Sequence, residues 1–447
     1  MRDKIEMNAP TSSGQPQKVI SVLDAVSFFV GIVVGIGIFR FPPLVASNTP
    51  NEFWFIAAWA LGGAATLIGA LCYAEIASAY PSTGGEYHFL RRAYGRHVAV
   101  IFAWARGTII QTGAIALVAF VFADYATQLL PLGTYSAGIW AAVAIVGITA
   151  VNIAGTMQGK ATQVGFAVAT VLLVLIVALA GLFMGSSAAP APSGNLSSGA
   201  LGLAMVFVLL TYGGWNEISY LSGEMRDVRR DMLRACLWGT GVVTLLYIVI
   251  NLAYLQTFGF AGLRESKAIG ADLMRSIFGD KGAILLSIVV CAAALSTLNA
   301  TVFTGARVYH SLGRDIPLLR PLASWNERGD NPIQAFVLQG VISLALVAFG
   351  SLTRDGLSTM VDYTSPVFWF FLMLVAISLF IFRLREPDAP RPFKVPLYPI
   401  IPAIFIGLCA WLLYSSLAYT GKGALVGVGI LALGLPLLFF VKSEEEP

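Results

Sequence analysis

Charged residues are scarce in this sequence. Aspartate, glutamate, lysine and arginine together make up 12% of its 447 residues, whereas an ordinary soluble domain carries about 25%. Hydrophobic residues make up 57%, and they are gathered into long runs. This composition excludes an ordinary soluble protein. It predicts an all-α polytopic membrane protein, because helices satisfy their own backbone hydrogen bonds in lipid.

Cysteine and histidine are also rare. There are four cysteines and three histidines, and neither set has the spacing of metal ligands. We therefore expect reduced cysteines, no disulfide, no metal site and no cofactor. An enzyme with a site inside the membrane would need paired acid–base residues or metal ligands, and no such cluster is visible. The sequence predicts neither an enzyme nor a nucleic-acid-binding protein.

Other classes of membrane protein need segments that this sequence lacks. A membrane sensor would carry a soluble signalling domain, but the longest hydrophilic segment here has roughly twenty residues. A channel would show a filter repeat or a charge-lined pore, and neither is visible. A sensor or a channel is therefore the remote alternative to a carrier. The first 20 residues are polar, so no cleavable signal peptide is expected.

Twelve apolar runs are long enough to span a membrane. With a cytoplasmic N-terminus, 20 lysines and arginines fall in cytoplasmic segments and six in external ones. The positive-inside rule therefore predicts a multi-pass protein of the inner or plasma membrane, surrounded by lipid, with both termini in the cytoplasm. The predicted spans are 23–47, 53–80, 98–123, 136–155, 161–185, 200–222, 236–259, 282–312, 332–351, 358–382, 399–419 and 422–441.

Glycines interrupt two of these spans. Gly31, Gly35 and Gly37 fall within the first span, and Gly213 and Gly214 fall within the sixth. Small residues can also let helices pack closely, which is the alternative for each span taken alone. Two broken spans in corresponding positions of two halves instead indicate a transporter with its substrate site near the midplane.

The positions of the two breaks divide the chain into two units of five spans. An odd number of spans inverts the second unit relative to the first, which is the inverted-repeat arrangement of secondary transporters. The predicted segments are a cytoplasmic tail (1–22), a first repeat (23–185), a second repeat (200–382), two further helices (399–441) and a cytoplasmic tail (442–447).

Four motifs are spaced over most of the chain. They are GIVVGIGIF at 31–39, ALCYAE with PSTGGEY at 70–87, YGGWN with EMRDVRR at 212–230, and RPFKVP at 391–396. Together they resemble the motifs of the amino acid–polyamine–organocation superfamily, closest to the bacterial relatives of the L-type amino acid transporters. The first is similar to the pattern G-x-x-x-G-S-G-I-F of that superfamily's first span.

The resemblance implies the LeuT-like fold, a five-plus-five inverted repeat with helices 1 and 6 broken, and an amino acid or related amine as substrate. It implies that backbone amides of the first span bind the carboxylate, and that carbonyls of both broken spans bind the ammonium. Helix termini suit these charges, because free N–H groups attract anions and free carbonyls attract cations. The amides belong to Gly35, Ile36 and Gly37, and the carbonyls lie near Gly31, Ile32, Leu210 and Thr211.

The sequence departs from the superfamily pattern at three places. Ile36 stands where the pattern has a serine, so one hydroxyl donor to the carboxylate is lost. Leu210 stands where an aromatic gate is common, which leaves Phe207 or Tyr212 as alternative gates. The fifth span lacks the lysine that proton-coupled relatives often carry, and Lys160 at its end is interpreted as a topological anchor.

Further candidates lie near the sixth span and in spans 2 and 8. Gly213, Trp215 and Asn216 complete the predicted substrate site, where Trp215 is a pocket wall or a packing aromatic. Glu86 pairs with Arg91 or Arg92, either as a cytoplasmic gate or as a plain loop salt bridge. The candidates for gating or coupling are Glu217, Glu75, Ser296 and Thr297.

Each coupling candidate has a structural alternative. Glu75 is costly to bury in a membrane, so it either couples transport or pairs with an arginine. Ser296 and Thr297 form an ion site or bond between helices. Glu217 is the carboxylate nearest to the sixth-span break.

The sequence predicts a secondary transporter that moves neutral amino acids by alternating access without sodium. No lysine or arginine is visible at the predicted site to bind an acidic side chain. Exchange ranks ahead of proton coupling because it needs no titrating group. The alternative is a proton-coupled symporter of amino acids, polyamines or other amines, and the sequence does not determine the oligomeric state.

Overall fold

The computed structural model describes residues 22–82, 85–154, 160–185, 198–216, 225, 227–324, 332–353, 355–419 and 422–440. The regular secondary structure in these ranges is helical, and none of them contains a β-strand. The predicted all-α architecture is therefore confirmed. The α-helices are α1 (Val22–Val33), α2 (Pro42–Ser47), α3 (Glu52–Ala79), α4 (Gly85–Tyr94), α5 (Arg96–Ala105), α6 (Thr112–Leu129), α7 (Ser136–Ile153), α8 (Lys160–Met184), α9 (Ser198–Thr211), α10 (Val228–Glu265), α11 (Ile269–Asp315), α12 (Ile333–Ser351), α13 (Gly356–Arg385), α14 (Ile400–Tyr419) and α15 (Lys422–Ala432).

Nine helices of the described chain are long and apolar enough to cross a membrane. Three shorter apolar helical stretches, Ala25–Phe39, Val168–Met184 and Ala200–Thr211, coincide with the predicted spans 1, 5 and 6. Length and composition therefore make the chain a multi-pass membrane protein.

Two helices extend well beyond the predicted spans. α10 and α11 run past spans 236–259 and 282–312, and each contains one glycine with a positive φ. Gly259 has a φ of 62° and Gly279 a φ of 66°. Only glycine adopts this region without strain, so each helix can change direction at that point and continue as a further helical segment.

The third span has a π-helical segment, Arg106–Gln111, between α5 and α6. Such wide turns free backbone carbonyls from the regular ladder. Here two buried tyrosines of other helices donate to them, Tyr309 to Gly107 O at 2.6 Å and Tyr363 to Thr108 O at 2.7 Å. The irregular turn is therefore held by α11 and α13.

The first span lies in the middle of the helix bundle. α10 packs against α1, α3 and α8, and α11 packs against α6, α7 and α8. The short 3-10 helix Ile36–Phe39 contacts α6, α9 and α11, while α2 contacts α9 and α10. The close fit of α3 and α10 needs a small residue, since a Cβ at Gly63 would overlap the side chain of Thr244. This packing surrounds the non-helical residues of the first span with protein.

Candidate functional site

The first span is not one continuous helix. α1 ends at Val33, and Gly35 has the extended backbone angles φ −101° and ψ −172°. The Gly35 N–H donates to Val33 O at 2.8 Å, whereas a regular helix would direct it to Gly31 O. The carbonyls of Gly31 and Ile32 thus lose the donors that a continued helix would supply.

The same break leaves backbone donors. Ile36 and Gly37 open the 3-10 helix, and the first N–H groups of a helix have no partner within it. Space is available at Gly35, just before them, because a Cβ built there would have Val33 O, 3.9 Å away, as its nearest neighbour outside the adjoining residues. This arrangement of free donors and open space is suited to an anion.

The helix of the sixth span ends beside the break in the first span. α9 ends at Thr211, the Gly213 N–H donates to Leu210 O at 3.1 Å, and Gly214 has a φ of 98°. A Cβ at Gly37 would stand 3.5 Å from the Thr211 Cα. The end of α9 and the start of the 3-10 helix are therefore in direct contact, although they are far apart in sequence.

Two residues of the predicted substrate site, Trp215 and Asn216, contact side chains of other helices. The Trp215 ring packs edge-on against Tyr73, with the centroids 5.0 Å apart. The Asn216 amide donates to Glu86 Oε1 at 3.0 Å. The alternative gate Phe207 lies against Phe41, with ring centroids 5.9 Å apart. Trp215 is thus packed against α3, and Asn216 is hydrogen-bonded to α4.

Tyr212, the other alternative gate, donates to Trp59 O on α3 at 3.0 Å.

Of the coupling candidates, Glu217 lies outside the described residues. Thr297 donates to Ala293 O within α11 at 3.1 Å, and Ser296 beside it is half-buried. The hydrogen bond of Thr297 is therefore local to its own helix.

Glu86 is the centre of a buried polar cluster. It accepts from Tyr73 at 2.8 Å and from Arg106 at 3.1 Å, in addition to the bond from Asn216. The predicted partner Arg92 instead forms a salt bridge to Glu386 at 2.8 Å. The Arg92 hydrogen bond is the main reason that the pKa of Glu386 lies below its usual value.

Glu75 is held by a second cluster. Arg383 donates to its two carboxylate oxygens at 2.8 and 2.6 Å, and the Val395 N–H donates at 2.7 Å. Arg391 stands 3.7 Å away. These contacts join α3 to the end of α13 and to the RPFKVP motif, and the Glu75 side chain is only 3% exposed. Glu75 is thus placed in an ion network and not at the helix breaks.

A third cluster was not assigned by the sequence analysis. Arg40, which directly follows the 3-10 helix, donates to Asp124 at 2.7 Å and lies 3.5 Å from Asp355. The Arg40 side chain is 4% exposed. Ser358 donates to Asp355 at 2.6 Å. The sequence feature that could have indicated this cluster is an arginine inside an apolar run, because buried charges in membranes are rarely without function.

Comparisons with known proteins identify the family of the chain. The family model for amino acid permeases matches residues 20–435. The chain is 28% identical to the human b(0,+)-type amino acid transporter 1 over 90% of its own length and 83% of the relative. It is 27% identical to the serine/threonine exchanger SteT of Bacillus subtilis over 96% of its own length and 98% of the relative.

A third relative is human large neutral amino acids transporter small subunit 2, which is 25% identical over 95% of this chain and 80% of the relative. These relatives are transporters and not enzymes. Because the family model covers almost the whole described helix bundle, the chain belongs to the amino acid permease family, within the amino acid–polyamine–organocation superfamily.

Proposed function

We propose that this protein exchanges neutral amino acids across the inner or plasma membrane by alternating access, without sodium. The observation that carries the proposal is the contact of the 3-10 helix of the first span, at Gly37, with the end of α9, at Thr211. It supports a LeuT-like five-plus-five inverted repeat in which 23–185 and 200–382 are the two halves. In such folds the substrate binds where the two broken helices meet.

The substrate headgroup is bound by backbone atoms. The N–H groups of Ile36 and Gly37 bind the carboxylate, since they open a helix next to the open space at Gly35. The predicted third donor, the Gly35 N–H, is instead bonded to Val33 O. The ammonium binds the carbonyls of Gly31 and Ile32 at the end of α1, and those of the α9 terminus. Backbone groups bind every α-amino acid equally, so selectivity is left to the residues around the side chain.

The residues of the two spans around the proposed site are uncharged. Neither 30–39 nor 207–216 contains a charged side chain, and Leu210 at the end of α9 is half-buried. A charged substrate side chain would lose its hydration there without gaining a partner. Two of the relatives, an exchanger of serine and threonine and a transporter of large neutral amino acids, support the same choice.

Counterflow in proteoliposomes tests the proposal. Vesicles loaded with unlabelled alanine, serine or leucine should accumulate the labelled amino acid, and replacement of sodium by choline should leave the rate unchanged. Empty vesicles should accumulate little label. If arginine or a polyamine competes far better than these neutral amino acids, the assigned substrate class is wrong.

Proton-coupled symport is the second candidate. An acidic residue beside the sixth-span break would carry the proton, and Glu217 follows that break directly. Under this candidate empty vesicles accumulate label when an inward proton gradient is imposed, and Glu217→Gln stops that uptake while sparing counterflow. Under exchange, neither the gradient nor the substitution changes the rate.

The Arg40 cluster forms the external barrier in the proposed topology. Asp355→Asn removes the charge from its longest contact and weakens it, while Arg40 keeps Asp124 as a partner. The barrier should therefore open more often without loss of the fold. A cysteine introduced as Leu210→Cys should then react faster with a membrane-impermeant thiol reagent added outside right-side-out vesicles. The four native cysteines are buried, which keeps the background low.

The same cysteine in a Glu386→Gln background is the control. That substitution also removes one carboxylate from a salt bridge, but on the side of the protein assigned to the cytoplasm. External labelling should stay at the level of the parent protein. Equal labelling in the Asp355→Asn and parent proteins would contradict the barrier assignment.

A further inference from the structure

One buried side-chain amide of α10 has an unused acceptor. Asn251 lies near the middle of that helix, and its side chain is fully buried. Its Nδ2 donates to Tyr247 O at 2.7 Å, which fixes the orientation of the amide. Its Oδ1 has no hydrogen-bond partner among the residues that the structure describes. An unpaired acceptor in a buried site is costly, so we expect a donor at this position.

Two tyrosines locate this oxygen relative to the first span. The Tyr247 hydroxyl donates to Val33 O at 2.7 Å, at the end of α1. The Tyr254 hydroxyl lies 3.5 Å from Ile38 O, within the 3-10 helix. Residues 247, 251 and 254 are four and three positions apart, so they share one face of α10. Asn251 therefore faces the break between Val33 and Ile38, where the chain leaves the α-helical conformation.

The substrate carboxylate of the proposed function has few donors at the same break. A carboxylate has about four acceptor positions. The free N–H groups there are those of Ile36 and Gly37, because the Gly35 N–H donates to Val33 O at 2.8 Å. Ile36 also lacks the hydroxyl of the serine in the superfamily pattern. The carboxylate and Asn251 Oδ1 are therefore two acceptors that face one short stretch of chain and cannot bond each other.

Water can bond two acceptors at once, because it donates two protons. Room exists at the break, since a Cβ built at Gly35 would have Val33 O, 3.9 Å away, as its nearest neighbour outside the adjoining residues. Without substrate, the same water would accept from a free N–H group of the 3-10 helix and donate to Asn251 Oδ1. Buried waters occupy such positions beside unpaired polar groups, and a water bridge is nearly as favourable in enthalpy as a direct hydrogen bond.

We propose that Asn251 binds a water molecule that donates a third hydrogen bond to the substrate carboxylate. This inference rests on the proposed function and deepens it, because it adds a side chain to a headgroup site otherwise built of backbone atoms. A sodium ion would also join two acceptors, but the affinity for the substrate would then depend on sodium. The surroundings favour water, because neither 30–39 nor 207–216 contains a carboxylate.

Asn251→Leu tests the proposal, since it removes the amide and keeps its approximate size. Uptake of labelled L-leucine by proteoliposomes should show a KM about three- to tenfold higher, the range of one hydrogen bond, with Vmax nearly unchanged. L-2-hydroxyisocaproate keeps the carboxylate and lacks the ammonium, so it should lose affinity as a competitor by the same factor. L-leucinol keeps the ammonium and lacks the carboxylate, so it should compete as before.

Asn251→Ala separates a bound water from simple packing. The smaller side chain leaves room for a second water in place of the amide, which extends the bridge, so KM should stay within about twofold of the wild-type value. A packing role predicts the reverse order of the two variants, because truncation to alanine leaves a cavity that leucine would fill.

Thr257→Val is the matched control on the same helix. Thr257 is also buried, and its hydroxyl donates to Ala253 O at 3.0 Å. It lies against the end of α8, since a Cβ at Gly185 would overlap its hydroxyl. The KM for leucine and both inhibition constants should equal those of the wild type. Gel filtration and thermal unfolding in detergent establish that all three variants are folded.

Three outcomes would overturn the proposal. A wild-type KM in folded Asn251→Leu protein places Oδ1 outside the substrate site. A larger rise in KM for Asn251→Ala than for Asn251→Leu assigns the side chain to packing. A wild-type KM that falls when sodium replaces choline, with no such fall in Asn251→Leu, assigns the position to a cation. Absence of neutral amino acid counterflow by the wild-type protein is a different result, which would refute the proposed function itself.

Discussion

Gly35→Leu is expected to abolish amino acid uptake and leave the protein folded. The backbone angles of Gly35 are open to any residue, and a Cβ there would meet only Val33 O at 3.9 Å. The new side chain would therefore be accommodated, but it would fill the space beside the N–H groups of Ile36 and Gly37. Substrate could then no longer approach the backbone donors. Gly35→Ala, which adds one methyl group, should give a partial loss through a higher KM.

Gly147→Leu is the matched control for that substitution. Gly147 lies on α7 in an exposed part of the helix, and a Cβ there meets nothing within 4 Å. Its uptake should equal that of the wild type. Gel filtration and thermal unfolding in detergent establish that both leucine variants are folded. Wild-type uptake by a folded Gly35→Leu protein would show that the substrate site lies elsewhere.

Glu75→Gln is expected to produce the largest loss of stability. Breaking one side of a buried ion pair costs about 3–5 kcal/mol. We expect a loss of about 3 kcal/mol, the lower end of this range. Arg391 is only 6% exposed, but Arg383 is 20% exposed, so water can partly solvate its charge. The substitution keeps the size of the side chain and leaves two arginines without their carboxylate. Thermal unfolding in detergent should show a clear fall in melting temperature.

Glu386→Gln provides the comparison for an exposed pair. Its bridge to Arg92 joins side chains that are 33% and 43% exposed, and such pairs contribute about 1 kcal/mol or less. Its melting temperature should stay near the wild-type value. If Glu75→Gln behaves like Glu386→Gln, the Glu75 cluster does not hold α3 to α13. If the Glu75→Gln protein keeps the wild-type melting temperature and loses only proton-driven uptake, Glu75 takes part in coupling.

Much of the architecture could be predicted because its signals are local. The lipid environment requires long apolar helices, and the composition alone excludes an ordinary soluble fold. Glycine lowers helix propensity wherever it occurs, so the triplet in 31–37 marked the point at which α1 ends. The amphipathic segment 260–281 predicts surface helix, but the turns at Gly259 and Gly279 were not predicted, because these glycines are indistinguishable in sequence from packing glycines.

The ion clusters could not be predicted because their partners are remote in sequence. Arg40 is 84 residues from Asp124 and 315 residues from Asp355. Glu75 is 308 residues from Arg383. A lone charge in an apolar run indicates that some partner exists, but only helix packing selects which one. The same applies to Glu86, for which the neighbouring Arg92 was considered and Arg106 was not.

The sequence by itself determined that this protein is an all-helical membrane protein, and its motifs indicated the superfamily to which it belongs. These properties follow from composition, from hydrophobic run length and from glycine, all of which act within a few residues. Only the tertiary structure decided that the first and sixth spans meet at Gly37 and Thr211, and that Tyr247 of α10 donates to Val33 O at the end of α1. Those contacts depend on the packing of α10 against α1, and no local sequence pattern encodes the distance between atoms of different helices.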